Sequence, residues 1–273
     1  MNLNLSPETG PRFLSFILLA VTVLKLGLMG SGLFAFEDEG RYTNAARALK
    51  NFAHGRIAAG LEEVFSTQGR PGETLLRTIP NALQFLTSRV HGVHIYAPSN
   101  TYPLFLFNFA VFLLLLMVLY RYALVLLRSR NSALLAVLLY SSLLNPQLYL
   151  RHAVPYDLGL LALLFVLGEI SRRAEEDAWR PMAFLTLGVA ACFGCAIYPG
   201  YYPIFLVAGV VLLLANWKKA TWIARSWCVA AYIVGGFGCL ASLEALSRVG
   251  GRSYLKELST LSGQITGGHL MRC

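Results

Sequence analysis

Apolar runs of close to twenty residues recur along this chain, and no other feature constrains its fold so tightly. A helix needs about 20 such residues to cross a ~30 Å hydrocarbon core. Inside lipid, only a helix or a closed barrel satisfies every backbone polar group. Seven runs qualify as predicted spans: residues 13–35, 102–120, 132–149, 157–171, 182–198, 203–217 and 226–246. Composition agrees, with 56% of the 273 residues hydrophobic and only 14% charged, where a soluble domain carries about 25%. The expected fold is all-α, a polytopic membrane protein of about seven transmembrane helices. A soluble enzyme and a disulfide scaffold are excluded. Residues 1–246 form the expected seven-helix module, loop 37–101 included, and residues 247–273 form a tail that reads as the start of a further loop.

The formal charge of +9 follows from orientation rather than from nucleic-acid binding, because the basic residues flank apolar runs. Short cytoplasmic loops collect Lys and Arg. With the N-terminus inside, the inner segments hold ten of them: Arg12, Arg121, Arg128, Arg130, Arg172, Arg173, Arg180, Lys218, Lys219 and Arg225. The short outer loops, 145–156 and 199–202, hold only Arg151. The N-terminus is therefore expected inside, with loop 37–101 and the tail outside, in a membrane of the bacterial plasma-membrane kind. The first run is too long for a signal peptide and is followed by acidic residues. Cys192 and Cys195 have CxxC spacing, but without a second pair they read as core thiols.

Loop 37–101 carries helical patterns of its own. From Asp38 to Phe52, the residues Tyr42, Ala45, Ala46, Leu49 and Phe52 recur at three- and four-residue steps, which predicts an amphipathic helix lying on the membrane with its apolar side down. A second stripe, Leu75, Leu76, Ile79, Leu83, Leu86 and Val90, predicts another over about 73–90. The loop is thus expected to be a lid of short interfacial helices.

Three adjacent carboxylates, Glu37, Asp38 and Glu39, stand between the first span and this lid. Like charges so close repel one another, and the plain alternative is a solvated helix start favoured by the dipole. The surrounding string, Phe36-Glu37-Asp38-Glu39-Gly40-Arg41-Tyr42 followed by TNAARAL, resembles the Asp-Glu-x-Arg-Tyr segment of membrane glycosyltransferases of the GT-C superfamily. The similarity is to the protein O-mannosyltransferase type and to the transferases that add aminoarabinose to lipid A. It covers an N-terminal module of seven helices. It implies an enzyme that takes a sugar from a polyprenyl-phosphate carrier and passes it to a lipid, glycan or protein acceptor on the outer face. It also implies an acidic residue in the second outer loop, matched by Asp157, and a basic residue before a proline in the first, matched loosely by Arg70-Pro71. Relatives of this type continue for several more helices.

Sugar transfer from a lipid phosphate needs a base for the incoming group and positive charge or a metal for the departing phosphate. Asp38 is the candidate base, with Glu39 second. Asp38 and Asp157 are candidate ligands for a divalent metal ion. Arg70 and Arg151 are candidate phosphate partners, since a guanidinium grips phosphate with two parallel bonds. His152 and Tyr42 complete the candidate substrate-binding set, and an N-cap role is the alternative for Asp157. Lys25 falls within the first span, where it either pairs with another helix or snorkels. His91 and His94 lack a third ligand nearby and read as surface residues. Glu169 is expected to meet Arg172 or Arg173. Tyr198, Tyr201 and Tyr202 read as an outer aromatic belt. Gly235, Gly236 and Gly238 with Ser242 read as a packing face. Two other classes remain: a non-catalytic module or remnant of such an enzyme, and a small transporter or flippase. The absence of an internal repeat argues against the transporter.

Overall fold

Prolines and small polar residues set the helix boundaries. Pro71, Pro103 and Pro181 sit in the first turns of their helices, where the missing N–H costs nothing. Ser129 and Thr221 accept from the N–H groups of Ser132 and Ala224, each at 3.3 Å, capping two others. The computed structural model describes residues 9–27, 40–143, 149–150, 152–176, 179–214 and 221–261. Its helices are α1 (Thr9–Gly27), α2 (Gly40–Ala53), α3 (Ile57–Phe65), α4 (Pro71–His91), α5 (Tyr102–Leu127), α6 (Arg130–Ser142), α7 (Tyr156–Glu175), α8 (Pro181–Ile197), α9 (Tyr202–Leu214) and α10 (Trp222–Val249). The chain is helical again over 254–261. No strand occurs among the described residues, so the all-α expectation holds.

The described part of each of the seven apolar runs is largely helical, but the helices differ in reach. Gly10–Gly27 of α1, α5 and α10 are long and apolar enough to cross a bilayer. The others are shorter or carry charge: α6 and α9 have 13 residues each, α8 has 17, and α7 ends in Glu169, Arg172 and Arg173. Those three residues interact as expected, with Glu169 contacting Arg172 at 2.7 Å and Arg173 at 3.5 Å.

Four packed groups hold the described helices together, two of them large. In one, α7, α8, α9 and α10 enclose Val166, Ile170, Phe184, Leu212 and Tyr232. In the other, α5, α6 and α2 enclose Leu104, Phe112, Val137 and Tyr42. The α8–α10 crossing is set by glycine. A Cβ on Gly188 would stand 2.0 Å from the Tyr232 carbonyl oxygen, and one on Gly235 would stand 2.1 Å from that of Leu185. The predicted small-residue face is thus confirmed at Gly235 and at Gly236, which meets Phe205, but not at Gly238, which has open space, or at exposed Ser242. Cys192 and Cys195 are buried free thiols.

Helices α2, α3 and α4 cover one end of the bundle, and the predicted orientation of α2 needs revision. The apolar face of α2 (Tyr42, Ala45, Ala46) is buried, packed with Ala48 against α3 and α4. Alanines there let neighbouring helices approach closely, so protein rather than lipid takes that face. Helix α4 is inverted relative to a soluble surface helix. Glu73, Arg77, Asn81 and Gln84, at steps of four, four and three, are buried, while Ile79, Leu83, Leu86 and Val90 are about half or more exposed. Such an arrangement is stable only where the surroundings are apolar.

Candidate functional site

The buried stripe of α4 is the spine of a polar cluster inside this end of the bundle. Arg77, 2% exposed, donates from Nη1 to Asn108 Oδ1 at 2.5 Å and from Nη2 to the Val154 carbonyl at 2.7 Å. Asn108, on α5, donates in turn to the carbonyls of His152 and Leu150 at 3.0 and 3.2 Å. A single guanidinium therefore ties α4 to α5 and to the segment leading into α7. One turn earlier, Glu73 Oε1 lies 4.0 Å from Arg77 Nε. Further along, Tyr42 donates to Gln84 Oε1 at 2.5 Å, and Gln84 Nε2 donates to the Asn100 carbonyl at 2.8 Å. Burial pushes the Tyr42 phenol above its ordinary range against the opposing charge of Arg77. It pushes Tyr96, whose ring meets Tyr42 edge-on at 6.3 Å, up to about 12.

Asp157 sits at the bottom of this cluster. It occupies the first turn of α7, whose N-cap is Pro155, so the N-cap alternative does not hold. Its carboxylate accepts from the Tyr140 hydroxyl at 2.8 Å and lies within electrostatic range of Arg77 and Lys25. Lys25 is buried, with Nζ over the Phe112 ring at 5.9 Å. It faces the other helices and does not snorkel. Ionisable side chains of α1, α4 and α7 are thus gathered in one place.

Beside Asp157, four tyrosines form a chain of packed rings. Ring centroids are 5.0 Å apart for Tyr149–Tyr156, 4.9 Å for Tyr156–Tyr198 and 5.1 Å for Tyr198–Tyr201. Arg70, at the N-cap of α4, places its guanidinium 5.1 Å over the Tyr198 ring. This cation–π contact fixes a long side chain that would otherwise wander.

Of the predicted site residues, Tyr42, Arg70, His152 and Asp157 come to this region, with His152 contributing the carbonyl that Asn108 reaches. Asp38, Glu39 and Arg151 lie outside the described residues. His91 and His94 are exposed. Among the described residues no three His, Cys, Asp or Glu side chains come together as a metal site requires. The charges closest to Asp157 are cations, so the described donors do not fit a divalent ion. Sequence reasoning missed Arg77, Asn108 and Tyr140. Asn108 carried a signal, being an amide inside a predicted span. Arg77 also carried one, lying opposite the apolar stripe of its own helix.

Set against known proteins, the chain matches no family model, no curated sequence and no solved structure.

Proposed function

We propose that this protein is a membrane glycosyltransferase that moves a sugar from a polyprenyl-phosphate carrier to an acceptor on the outer face of a bacterial plasma membrane. In this proposal α6, α7, α8 and α9 cross the bilayer together with the three longer helices. The N-terminus is inside, and α2, α3 and α4 lie at the outer boundary. One observation carries it: Lys25, Arg77 and Asp157 are buried together beneath a layer whose α4 turns its apolar stripe outward. Ionisable residues at membrane depth are expensive and mark sites of function, and charges there act in a low dielectric that strengthens them. A lipid phosphate entering along the apolar edge of α4 would meet this cluster at head-group height.

The roles follow from chemistry. Asp38 takes the proton from the acceptor, with Glu39 beside it. Arg70 and Arg151 grip the phosphate, and Asp157 with Tyr140, Tyr42 and His152 lines the sugar side. Lys25 and Arg77 supply fixed positive charge beneath the departing phosphate.

The test is transfer from a labelled polyprenyl-phosphate sugar in proteoliposomes, with wild type and Asp38→Asn at equal folded amounts. Asparagine keeps size and capping ability but cannot accept the proton. Turnover is expected to fall by roughly 10²–10⁴-fold, the range of a general base. Near-wild-type turnover in Asp38→Asn, or none in the wild type with any acceptor class, overturns the proposal.

A further inference from the structure

At the opposite end of α1 from Lys25, an open groove of about 520 Å³ runs between α1, α5 and α6. This lies within the ~300–1,000 Å³ of ordinary ligand sites. Each helix gives it one stripe. Leu18 on α1, Leu116 and Leu124 on α5, and Leu134 and Val137 on α6 make its walls. Pro11, Leu124 and Arg130 mark one end and Leu18, Leu116 and Val137 the other. At 1.5 Å per helical residue, the seven residues from Pro11 to Leu18 give a trough about 10 Å long.

The helices pack together at the floor of the groove, where Leu18 meets the cluster of Leu116 and Val137, and below it. A Cβ on Gly10 would lie 3.0 Å from Asn131 Nδ2, so α1 and α6 touch at their N-terminal ends. The short Arg128–Ser129 link joins α5 to α6 there as well. The groove is therefore a fixed feature of the bundle, with apolar walls and an open side.

Its pinned end is charged. Arg130 lines the groove and is exposed. Its guanidinium has no hydrogen-bond or ion-pair partner among the described residues. Exposed Arg12 adjoins the lining residue Pro11 in sequence. An apolar trough ending in an exposed arginine matches one amphiphile: an apolar chain with an anionic head at the arginine level. Basic pockets between membrane helices on the cytoplasmic side hold anionic lipid head groups in this way.

We propose that this groove is a binding site for an anionic phospholipid of the inner leaflet, with an acyl chain along Leu18, Leu124, Leu134 and Val137 and the phosphate at Arg130. It uses the membrane embedding and the inward N-terminus but not sugar transfer. The lipid would brace the α1–α6 seam that carries Lys25 and Tyr140 at its far end.

The test uses the full chain, purified and reconstituted in phosphatidylcholine nanodiscs. Retained lipid is counted by native mass spectrometry after adding phosphatidylglycerol. Phosphatidylglycerol is expected to be favoured over phosphatidylcholine by about fivefold for the one arginine engaged, and Arg130→Gln is expected to remove that preference. Leu134→Trp, which fills the trough, is expected to reduce retention of both lipids. Should it fail to fold, Met117→Trp, at an exposed residue of the same lining, serves the same purpose. Equal retention of the two lipids, or an undiminished preference in Arg130→Gln, overturns the head-group assignment. Glycerol phosphate competing as well as the intact lipid shows a free-anion site and overturns the chain assignment. Sugar transfer enters none of these arms, so their outcome is independent of whether the glycosyltransferase proposal stands.

Discussion

The Tyr140 hydroxyl donates to Asp157 Oδ1 at 2.8 Å, joining the C-terminal turn of α6 to the first turn of α7. A buried carboxylate needs donors or cations to remain ionised, and here it has the phenol together with Lys25 and Arg77 in range. Tyr140→Phe removes a donor without changing shape and is expected to destabilise the fold by about 1–3 kcal/mol. Asp157→Asn still offers an oxygen to the phenol, so its loss should be smaller. A double-mutant cycle followed by thermal unfolding in detergent is expected to show a coupling above ~0.5 kcal/mol. Strict additivity would mean the contact carries no weight.

Arg77 is the clamp between α4 and the rest of the bundle. Its two terminal nitrogens reach different partners, Asn108 and the Val154 carbonyl, in a fork that a lysine ammonium cannot reproduce. Arg77→Lys keeps the charge yet is expected to cost about 1–3 kcal/mol through the buried acceptor it abandons. It should also loosen α4 first. Hydrogen exchange is the discriminating measurement: faster exchange in α4 with α8 and α10 unchanged is the expected pattern. Uniform change across all helices would contradict the clamp.

What could be read from the sequence, and what could not, divides along physical lines. Helix positions were legible because long apolar runs favour helices, three of which are long and apolar enough to cross a bilayer. The helices of loop 37–101 were legible because their three- and four-residue periodicity survives any orientation. Which way those helices face was not legible. A stripe such as Ile79, Leu83, Leu86 and Val90 has the same spacing whether it meets protein or lipid, and only the partners of Arg77 and Gln84 decide. Likewise Lys25 within an apolar run is compatible with snorkelling until Phe112 and Asp157 are seen around it. Tyr140 gave no signal at all, since one tyrosine in an apolar helix is ordinary and its meaning comes from a residue on another helix.

The turn before α4 carries a pH dependence. The Gly69 N–H donates to Glu257 Oε2 at 3.2 Å, tying residues 254–261 to the turn that presents Arg70. Burial pushes the Glu257 carboxyl above its ordinary 4.5, partly offset by the Gly69 bond and by Arg252. The folded state therefore holds this proton to higher pH than the unfolded one, so folding stability falls as pH rises through the window above 4.5. Resistance of 254–261 to protease should decline as pH rises from about 4.5. Glu257→Gln, which still accepts from Gly69 but does not titrate, should flatten the profile. An unchanged slope in that variant would assign the effect to another group.

The α8–α10 crossing offers a comparison between glycines three residues apart on one helix. A Cβ at Gly235 would stand 2.1 Å from the Leu185 carbonyl oxygen, whereas one at Gly238 would meet nothing within 4 Å. Backbone cannot swing aside as a flexible side chain can, so Gly235→Ala must push the two helices apart. Overpacking of this kind costs about 1–3 kcal/mol, and it spreads to Val166, Phe184 and Tyr232, which share that packed group. Gly238→Ala has no such conflict and gains up to ~1 kcal/mol in helix propensity. Thermal unfolding in detergent should therefore move in opposite directions for the two variants. If both shift equally, close backbone contact at Gly235 is not what holds this half of the bundle together.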